Sequence, residues 1–233
     1  MGQQKRPTKR WAVILAEITD RLHGKYGSPW LGNFVDPVKE IFFIVLSART
    51  SEALYIRAMN SLFEKFPDCS AIANANLEAV LDCVGGAGFG KKRSEQVIKI
   101  ANRVILDLGN DPQSALREMS STEVFQYLTS LPGVGPKSAL CVMMWSLNID
   151  VLPVDVNVQR IAARLGVIPV GLKHYQAQQK FPRYVPEGRS RDLHTAFMMH
   201  GREICKPIRP KCGECIVSDL CRMGREASKR HKQ

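Results

Sequence analysis

Between Leu131 and Ala139 the sequence runs Leu-Pro-Gly-Val-Gly-Pro-Lys-Ser-Ala, and this stretch constrains the fold more than any other. Thr122 to Leu128, just before it, has helical periodicity. Pro132 and the two glycines end that helix, because glycine reaches positive φ and lets the backbone come close to whatever it meets. Pro136 suits the first position of a second helix, where an N–H would have no partner. Two helices joined by a glycine hairpin are therefore predicted. The hairpin amides and the positive end of the second helix then face outward together, an anion site suited to a DNA phosphate. Lys137 falls in that helix's first turn, where a lysine opposes the macrodipole. The same field, with partial desolvation, favours the neutral amine that a nucleophile requires. Asp155, in Val154-Asp155-Val156-Asn157, follows eighteen residues after Lys137, at the N-cap of a predicted helix Val156 to Leu165. Capping and the helix field favour its carboxylate, which suits the stabilisation of positive charge.

Lys and Arg number 33 against 22 Asp and Glu, a net charge of +11. That suits a polyanionic partner, nucleic acid or an acidic membrane surface. No run approaches the length of an apolar span, Ile41 to Leu46 being short. The N-terminus is basic and then amphipathic, without a cleavable pattern. Neither spanning nor secretion is expected, and the predicted location is intracellular, cytoplasm or nucleoid in a prokaryote. Among seven cysteines, Cys69, Cys83 and Cys141 are scattered and read as small buried hydrophobes. Cys205, Cys212, Cys215 and Cys221 fall within seventeen residues and read as a metal site rather than a disulfide framework. On ligand chemistry alone, zinc and an iron–sulfur cluster both fit.

Further helices are predicted over Trp11–His23, Pro37–Ala48, Ser51–Phe66, Asn76–Cys83, Ser94–Leu108, Thr122–Thr129, Pro136–Asn148 and Arg189–Arg202. Pro37–Ala48 is apolar nearly all round and reads as the central buried helix. No strand pair or repeat emerges, so the fold class is all-α. The loop Gly85-Gly86-Ala87-Gly88-Phe89-Gly90 is rich in glycine, but no strand precedes it and no Gly-Lys-[Ser/Thr] follows. It reads as a turn into the helix at Ser94, with Lys91, Lys92 and Arg93 placed for phosphate contact.

The run Leu-Pro-Gly-Val-Gly-x-Lys-[Ser/Thr]-Ala followed by Val-Asp resembles the helix-hairpin-helix and Gly/Pro-Asp loop of the endonuclease III family of DNA glycosylases. The spacing Cys-x6-Cys-x2-Cys-x5-Cys, with His194 to Gly201 before it, resembles that family's [4Fe–4S] loop. The resemblance runs from about Ile14 to Cys221. It implies a Schiff-base lysine at Lys137 and the essential aspartate at Asp155. It also implies a [4Fe–4S] cluster on Cys205, Cys212, Cys215 and Cys221 that supports DNA binding rather than catalysis. Lys206, Arg209 and Lys211 lie between the first two cysteines, on a loop tied at both ends that suits a phosphate-binding finger. Leu131, Gly133, Val134 and Gly135, with Gly88, Gly90, Lys91 and Arg93, are the other expected DNA contacts. Leu46 to Ser51 resembles the loop that fills the space left by a flipped base, with Arg49 where the family usually has glutamine. Asn157 stands where many members have histidine.

The family layout implies two lobes with a cleft between them. One is a six-helix bundle over residues 28–147; the other joins 1–27 to 148–225, and a basic tail follows at 226–233. The expected activity is that of a monomeric, bifunctional DNA glycosylase and AP lyase of base-excision repair. It would act on double-stranded DNA containing damaged bases or abasic sites, releasing oxidised pyrimidines and nicking by β-elimination. An adenine-mismatch glycosylase is the alternative within the superfamily. That branch normally lacks the lysine, adds a C-terminal domain, and has a catalytic glutamate where this chain is apolar around Phe43-Ile44. The pattern Val-Asp-x-Asn-Val is similar to plant 5-methylcytosine glycosylases, a further alternative. A catalytically weak DNA-binding protein built on the hairpin is the reading from another class.

Overall fold

The computed structural model describes residues 9–27, 29, 31–48, 50–85 and 90–230, and among these there are helices and no strand. The chain divides into two compact units. Leu31–Ile149 forms one, and the described parts of Met1–Trp30 with Asp150–Gln233 form the other. No described helix is long and apolar enough to cross a membrane.

The chain enters through α1 (Lys9–Tyr26), whose Leu15, Ile18 and Leu22 are fully buried in the core of the unit completed after Asp150. The intervening unit holds α2 (Pro37–Ser47), α3 (Glu52–Lys65), α4 (Cys69–Ala73), α5 (Leu77–Val84), α6 (Gly90–Leu108), α7 (Pro112–Glu118), α8 (Ser121–Ser130) and α9 (Pro136–Trp145). The six predicted helices are thus joined by two more, α4 and α7. Both are too short for an apolar period to show, and both start on an aspartate cap. Asp68 accepts from Ala71 N–H at 2.8 Å, and Asp111 accepts from Ser114 N–H at 3.1 Å ahead of Pro112. α2 is the central helix, with Phe42 and Leu46 fully buried; α3, α6, α7 and α9 pack on it. α9 stops at Trp145, short of the predicted Asn148, whose backbone is left-handed at φ 54°. α6 starts at Gly90, so Lys91, Lys92 and Arg93 form its first turn instead of preceding it.

In the other unit, α10 (Val156–Leu165) begins on its Asp155 cap, and Gly166 ends it at φ 93°. α11 (His174–Lys180), a 3-10 turn at Phe181–Tyr184, α12 (Ser190–Glu203), a 3-10 turn at Cys212–Glu214 and α13 (Arg222–Arg230) follow. Residues 226–230 therefore continue a helix, where a basic tail was expected; α13 is too polar for a core stripe to reveal it. The core joins Leu15, Ile18 and Leu22 of α1 to Val158, Ile161 and Leu165 of α10 and to Phe181 and Phe197, whose rings stack at 6.2 Å.

Candidate active site

A capping box, in which Ser120 and Glu123 bind each other's backbone N–H, starts α8 and leads it to the hairpin. Leu131 and Val134 are buried, and Val134 N–H closes the turn on the Leu131 carbonyl at 3.1 Å. Gly133 has φ 74°, and a Cβ there would lie 2.2 Å from Gln96 Nε2. That amide instead donates to the Pro132 carbonyl at 2.8 Å, so α6 braces the hairpin from behind. Gly135 caps α9 in an extended conformation and has no side chain to bind the first-turn amides. Gly133 and Gly135 are exposed. The result is an open helix N-terminus with Lys137, half-buried, in its first turn.

Asp155 is held differently. The segment leading to it is fixed by Gln178, which binds Val154 N–H and the Leu152 carbonyl, both at 2.8 Å, and by His194 Nδ1, 2.9 Å from the Pro153 carbonyl. Its own Oδ1 accepts from Val158 N–H at 2.7 Å, so it caps α10 as predicted. Asn157 Nδ2 stands 3.4 Å from Asp155 Oδ2 and 3.4 Å from Met198 Sδ. Asn157 Oδ1 accepts from Arg160 Nη2 at 2.7 Å, and Arg160 Nε reaches the Cys205 carbonyl at 2.9 Å. Arg160 also binds the Gly201 carbonyl at 3.1 Å, where a Cβ would lie 2.8 Å from Asn157 Oδ1. A chain of contacts thus joins the turn after Asp155 to the first cysteine.

Cys205, Cys212, Cys215 and Cys221 line one pocket, walled by Ile161, Leu165 and Val217. Four thiols around one pocket, none spent in a disulfide, are the donor set that an iron–sulfur cluster takes. Arg164 Nη1 donates to Cys205 Sγ at 3.2 Å. Arg164 also binds the carbonyls of Lys206 at 2.7 Å and Pro207 at 2.9 Å, which fixes the base of the finger. Lys206, Arg209 and Lys211 on that finger are exposed. His200, buried, lies between the pocket and α1: Nε2 is 3.6 Å from Cys215 Sγ and Nδ1 is 3.3 Å from the Tyr26 hydroxyl. Cys69, Cys83 and Cys141 are buried, as predicted.

Arg93 corrects an expectation. Predicted as a phosphate contact, it is buried, and its guanidinium binds the Leu46 and Ala48 carbonyls and Thr50 Oγ1. Lys91 is exposed and Gly90 opens α6; Arg49 and Gly88 lie outside the described residues. Glu40 was missed. Phe43 and Ile44 are buried and apolar as read from the sequence, but Glu40, one turn earlier on α2, is also fully buried. A signal existed, since a helix apolar nearly all round has little surface on which to place both Lys39 and Glu40. Arg160, Arg164 and Gln96 gave no such signal, because their roles depend on segments remote in sequence.

The sequence matches the HhH-GPD superfamily of base excision DNA repair proteins over residues 43–187. It also matches the iron–sulfur binding domain of endonuclease III over residues 205–221, from the first pocket cysteine to the last. Together these define a helix-hairpin-helix DNA glycosylase of base-excision repair with a [4Fe–4S] cluster. Endonuclease III of Thermotoga maritima is 28% identical over 194 residues, 83% of this chain and 86% of that one. The Escherichia coli enzyme is 28% identical over 189 residues, 81% and 85% of the two chains. A non-covalent endonuclease III–DNA complex shares the fold with a TM-score of 0.78 at 22% identity, over 92% of this chain and 97% of that one. The chain belongs to the endonuclease III family.

Proposed function

We propose that the protein is a bifunctional glycosylase and AP lyase that removes oxidised pyrimidines from intracellular double-stranded DNA as a monomer, with Lys137 as nucleophile and Asp155 as its electrostatic partner. The observation that carries the reading is Lys137 in the first turn of an open helix, behind a glycine hairpin shaped for a phosphate. In the proposed reaction the neutral Lys137 Nζ attacks C1′ of a flipped nucleoside. The C1′–N bond breaks and the base leaves with the bonding electrons, taking up one amine proton; the C1′–O4′ bond then breaks, O4′ takes up the second amine proton, and the open sugar is left as a Schiff base. Loss of a C2′ proton then expels the 3′ phosphate by β-elimination. The Asp155 carboxylate offsets the positive charge on the sugar, so the reading requires both residues to reach one nucleotide.

The hairpin residues Leu131, Gly133, Val134 and Gly135, with Gly90, Lys91, Lys206, Arg209 and Lys211, are the proposed DNA contacts. The four pocket cysteines are the proposed cluster ligands, with Arg49 and Gly88 further proposed DNA contacts. The cluster, when bound, holds the finger and the start of α10 in place.

Single-turnover assays with borohydride trapping on a panel of lesion-containing duplexes test the proposal. Lys137→Gln is expected to abolish the trapped adduct on abasic DNA while binding to uncleavable abasic DNA persists. Asp155→Asn keeps the cap and is expected to slow base release by about an order of magnitude or more, with less effect on nicking of a preformed abasic site. A Lys137→Gln protein that still forms the adduct sinks the nucleophile assignment.

A further inference from the structure

Two of the four pocket sulfurs are approached by a side-chain nitrogen, Cys205 by Arg164 and Cys215 by His200. His200 sits in the last turn of α12 and is only 2% exposed. Its backbone carbonyl accepts from Cys205 N–H at 2.8 Å, so it holds the first cysteine of the pocket. Its ring faces the third, with Nε2 3.6 Å from Cys215 Sγ. The other ring nitrogen, Nδ1, lies 3.3 Å from the hydroxyl of Tyr26, the last residue of α1. An ion pair between Lys25 Nζ and Glu203 Oε1, at 3.0 Å, ties the same two helix ends together, and Lys25 also lies 5.1 Å above the Tyr26 ring.

The chemistry of the three groups fixes the direction of both contacts. A thiolate that ligates a cluster carries no proton and can only accept a hydrogen bond. Burial favours the neutral imidazole, which has a single N–H. That N–H therefore belongs on Nε2, facing the sulfur. Nδ1 is left as an acceptor, and the Tyr26 O–H donates to it. A leucine would fill the same space without needing either partner, so packing alone gives no reason for this ring.

We propose that Tyr26 and His200 form a relay that donates one hydrogen bond to the Cys215 thiolate and thereby sets the reduction potential of the cluster. The inference rests on the assignment of Cys215 as a cluster ligand. A donor at a ligand sulfur favours the cluster state with more negative charge, so it raises the midpoint of a one-electron couple. No proton crosses the hydrogen bond; the electron comes from an external one-electron donor, such as a redox dye. Tyr26 is a positioning residue at one remove. Without its O–H, Nδ1 can hold the proton, and the Nε2 lone pair would then face the sulfur.

The test titrates the cluster-loaded full chain with redox dyes and compares wild type with Tyr26→Phe, His200→Leu and His200→Gln. At a fixed solution potential, the ratio of oxidised to reduced cluster is expected to rise about three- to tenfold in His200→Leu, tenfold being 59 mV for a one-electron couple. Tyr26→Phe is expected to move it the same way by a smaller factor. His200→Gln keeps an N–H donor of similar reach and is expected to return the ratio towards wild type. A second readout needs no substitution: in the odd-electron state of the couple, 15N-labelled histidine should show hyperfine coupling through the hydrogen bond, as should a deuteron exchanged in from D2O. Equal ratios in wild type and His200→Leu, a His200→Gln protein no closer to wild type than His200→Leu, or no histidine coupling in wild type would each overturn the relay. If His200→Leu fails to hold iron, the wild-type coupling and the Tyr26→Phe shift decide. Cys215→Ala with unchanged iron content and visible spectrum overturns the ligand assignment instead, whereas loss of that spectrum together with equal ratios in the other variants overturns the relay alone.

Discussion

The two helices that begin at the candidate catalytic residues, α9 and α10, are each ten residues long and are held in opposite ways. α9 starts bare, on a glycine, and is positioned by burying Ala139, Cys141, Val142, Met143 and Met144 among its neighbours. α10 starts on a side chain that is both cap and proposed catalyst, and Arg160 and Arg164 brace it to the cysteine loop. The difference follows from the chemistry. Gly135 offers no side chain to cap the first turn of α9, so burial of the helix's apolar residues does the positioning. A carboxylate is stabilised by donors, so polar contacts can hold it without blunting it. The position of Lys137 therefore depends on the packed core of its own unit, and that of Asp155 on the metal-bearing loop.

The strongest way to break this comparison is to remove the cluster. Cys212→Ser is expected to lower iron content and visible absorption, and to abolish hydrogen-exchange protection across residues 205–221. Protection is also expected to fall in α10, while α2 and α9 keep theirs. Unchanged protection in α10 would show that the arginine braces hold without the cluster.

A second expectation concerns the unit that holds Lys137. The Glu40 carboxyl is raised from 4.5 to about 8 by burial, so the native state keeps a proton that the unfolded chain releases. Its contribution to stability is complete below about 4.5 and is lost as pH rises through about 8. Protection of α2 and α9 in wild type is expected to weaken over that window, relative to Glu40→Gln, by on the order of a few kcal/mol. Parallel pH dependences in the two proteins would contradict it.

What the sequence made legible divides along similar lines. The hairpin, the Asp155 cap and the cysteine spacing were readable because each is local: proline, glycine, aspartate and cysteine declare themselves through backbone geometry or ligand chemistry within a few residues. α4, α7 and α11 were not, because one or two turns are too short for a period, and α13 has no apolar stripe. Arg93 was misread because a cation in a basic run gives no sign of turning inward onto carbonyls some forty-five residues away. Glu40 was legible in principle, as a charge inside an apolar helix, but the donors that hold its carboxyl, Asn33 and Phe34, lie in the loop before α2 and carry no periodic signal.

The hairpin allows a finer cut between packing and openness. Gly133→Ala forces a side chain into φ 74° and against Gln96, and is expected to cost roughly 1–3 kcal/mol and to weaken binding to every duplex. Gly135 has φ −88° and nothing within 4 Å of a Cβ, so Gly135→Ala is expected to leave stability within about 0.5 kcal/mol. Equal thermal shifts in the two variants would mean that Gln96 does not brace the turn.

The smallest expected effect tests whether the finger beside the cysteine pocket touches DNA at all. Lys206, Arg209 and Lys211 are exposed, and among the described residues only the Lys211–Glu214 contact, at 3.4 Å, engages one of them in an ion pair. Their backbone is fixed by Arg164 and by Lys211 N–H on the Ile204 carbonyl, so reversing the charges leaves the loop's supports in place. If each cation neutralises one phosphate, each reversal reduces the slope of log affinity against log salt by up to roughly one unit. The loss should be equal for abasic, lesion-containing and undamaged duplexes, because phosphate contacts carry no base information. The rate of the trapping step at saturating enzyme should not change, since the finger belongs to the brace of α10 and not to the reacting groups. Binding titrations at four salt concentrations with three duplexes decide the matter. Unchanged affinity throughout would take the finger off the DNA, and a lesion-dependent loss would make it a reader of damage instead of a phosphate clamp.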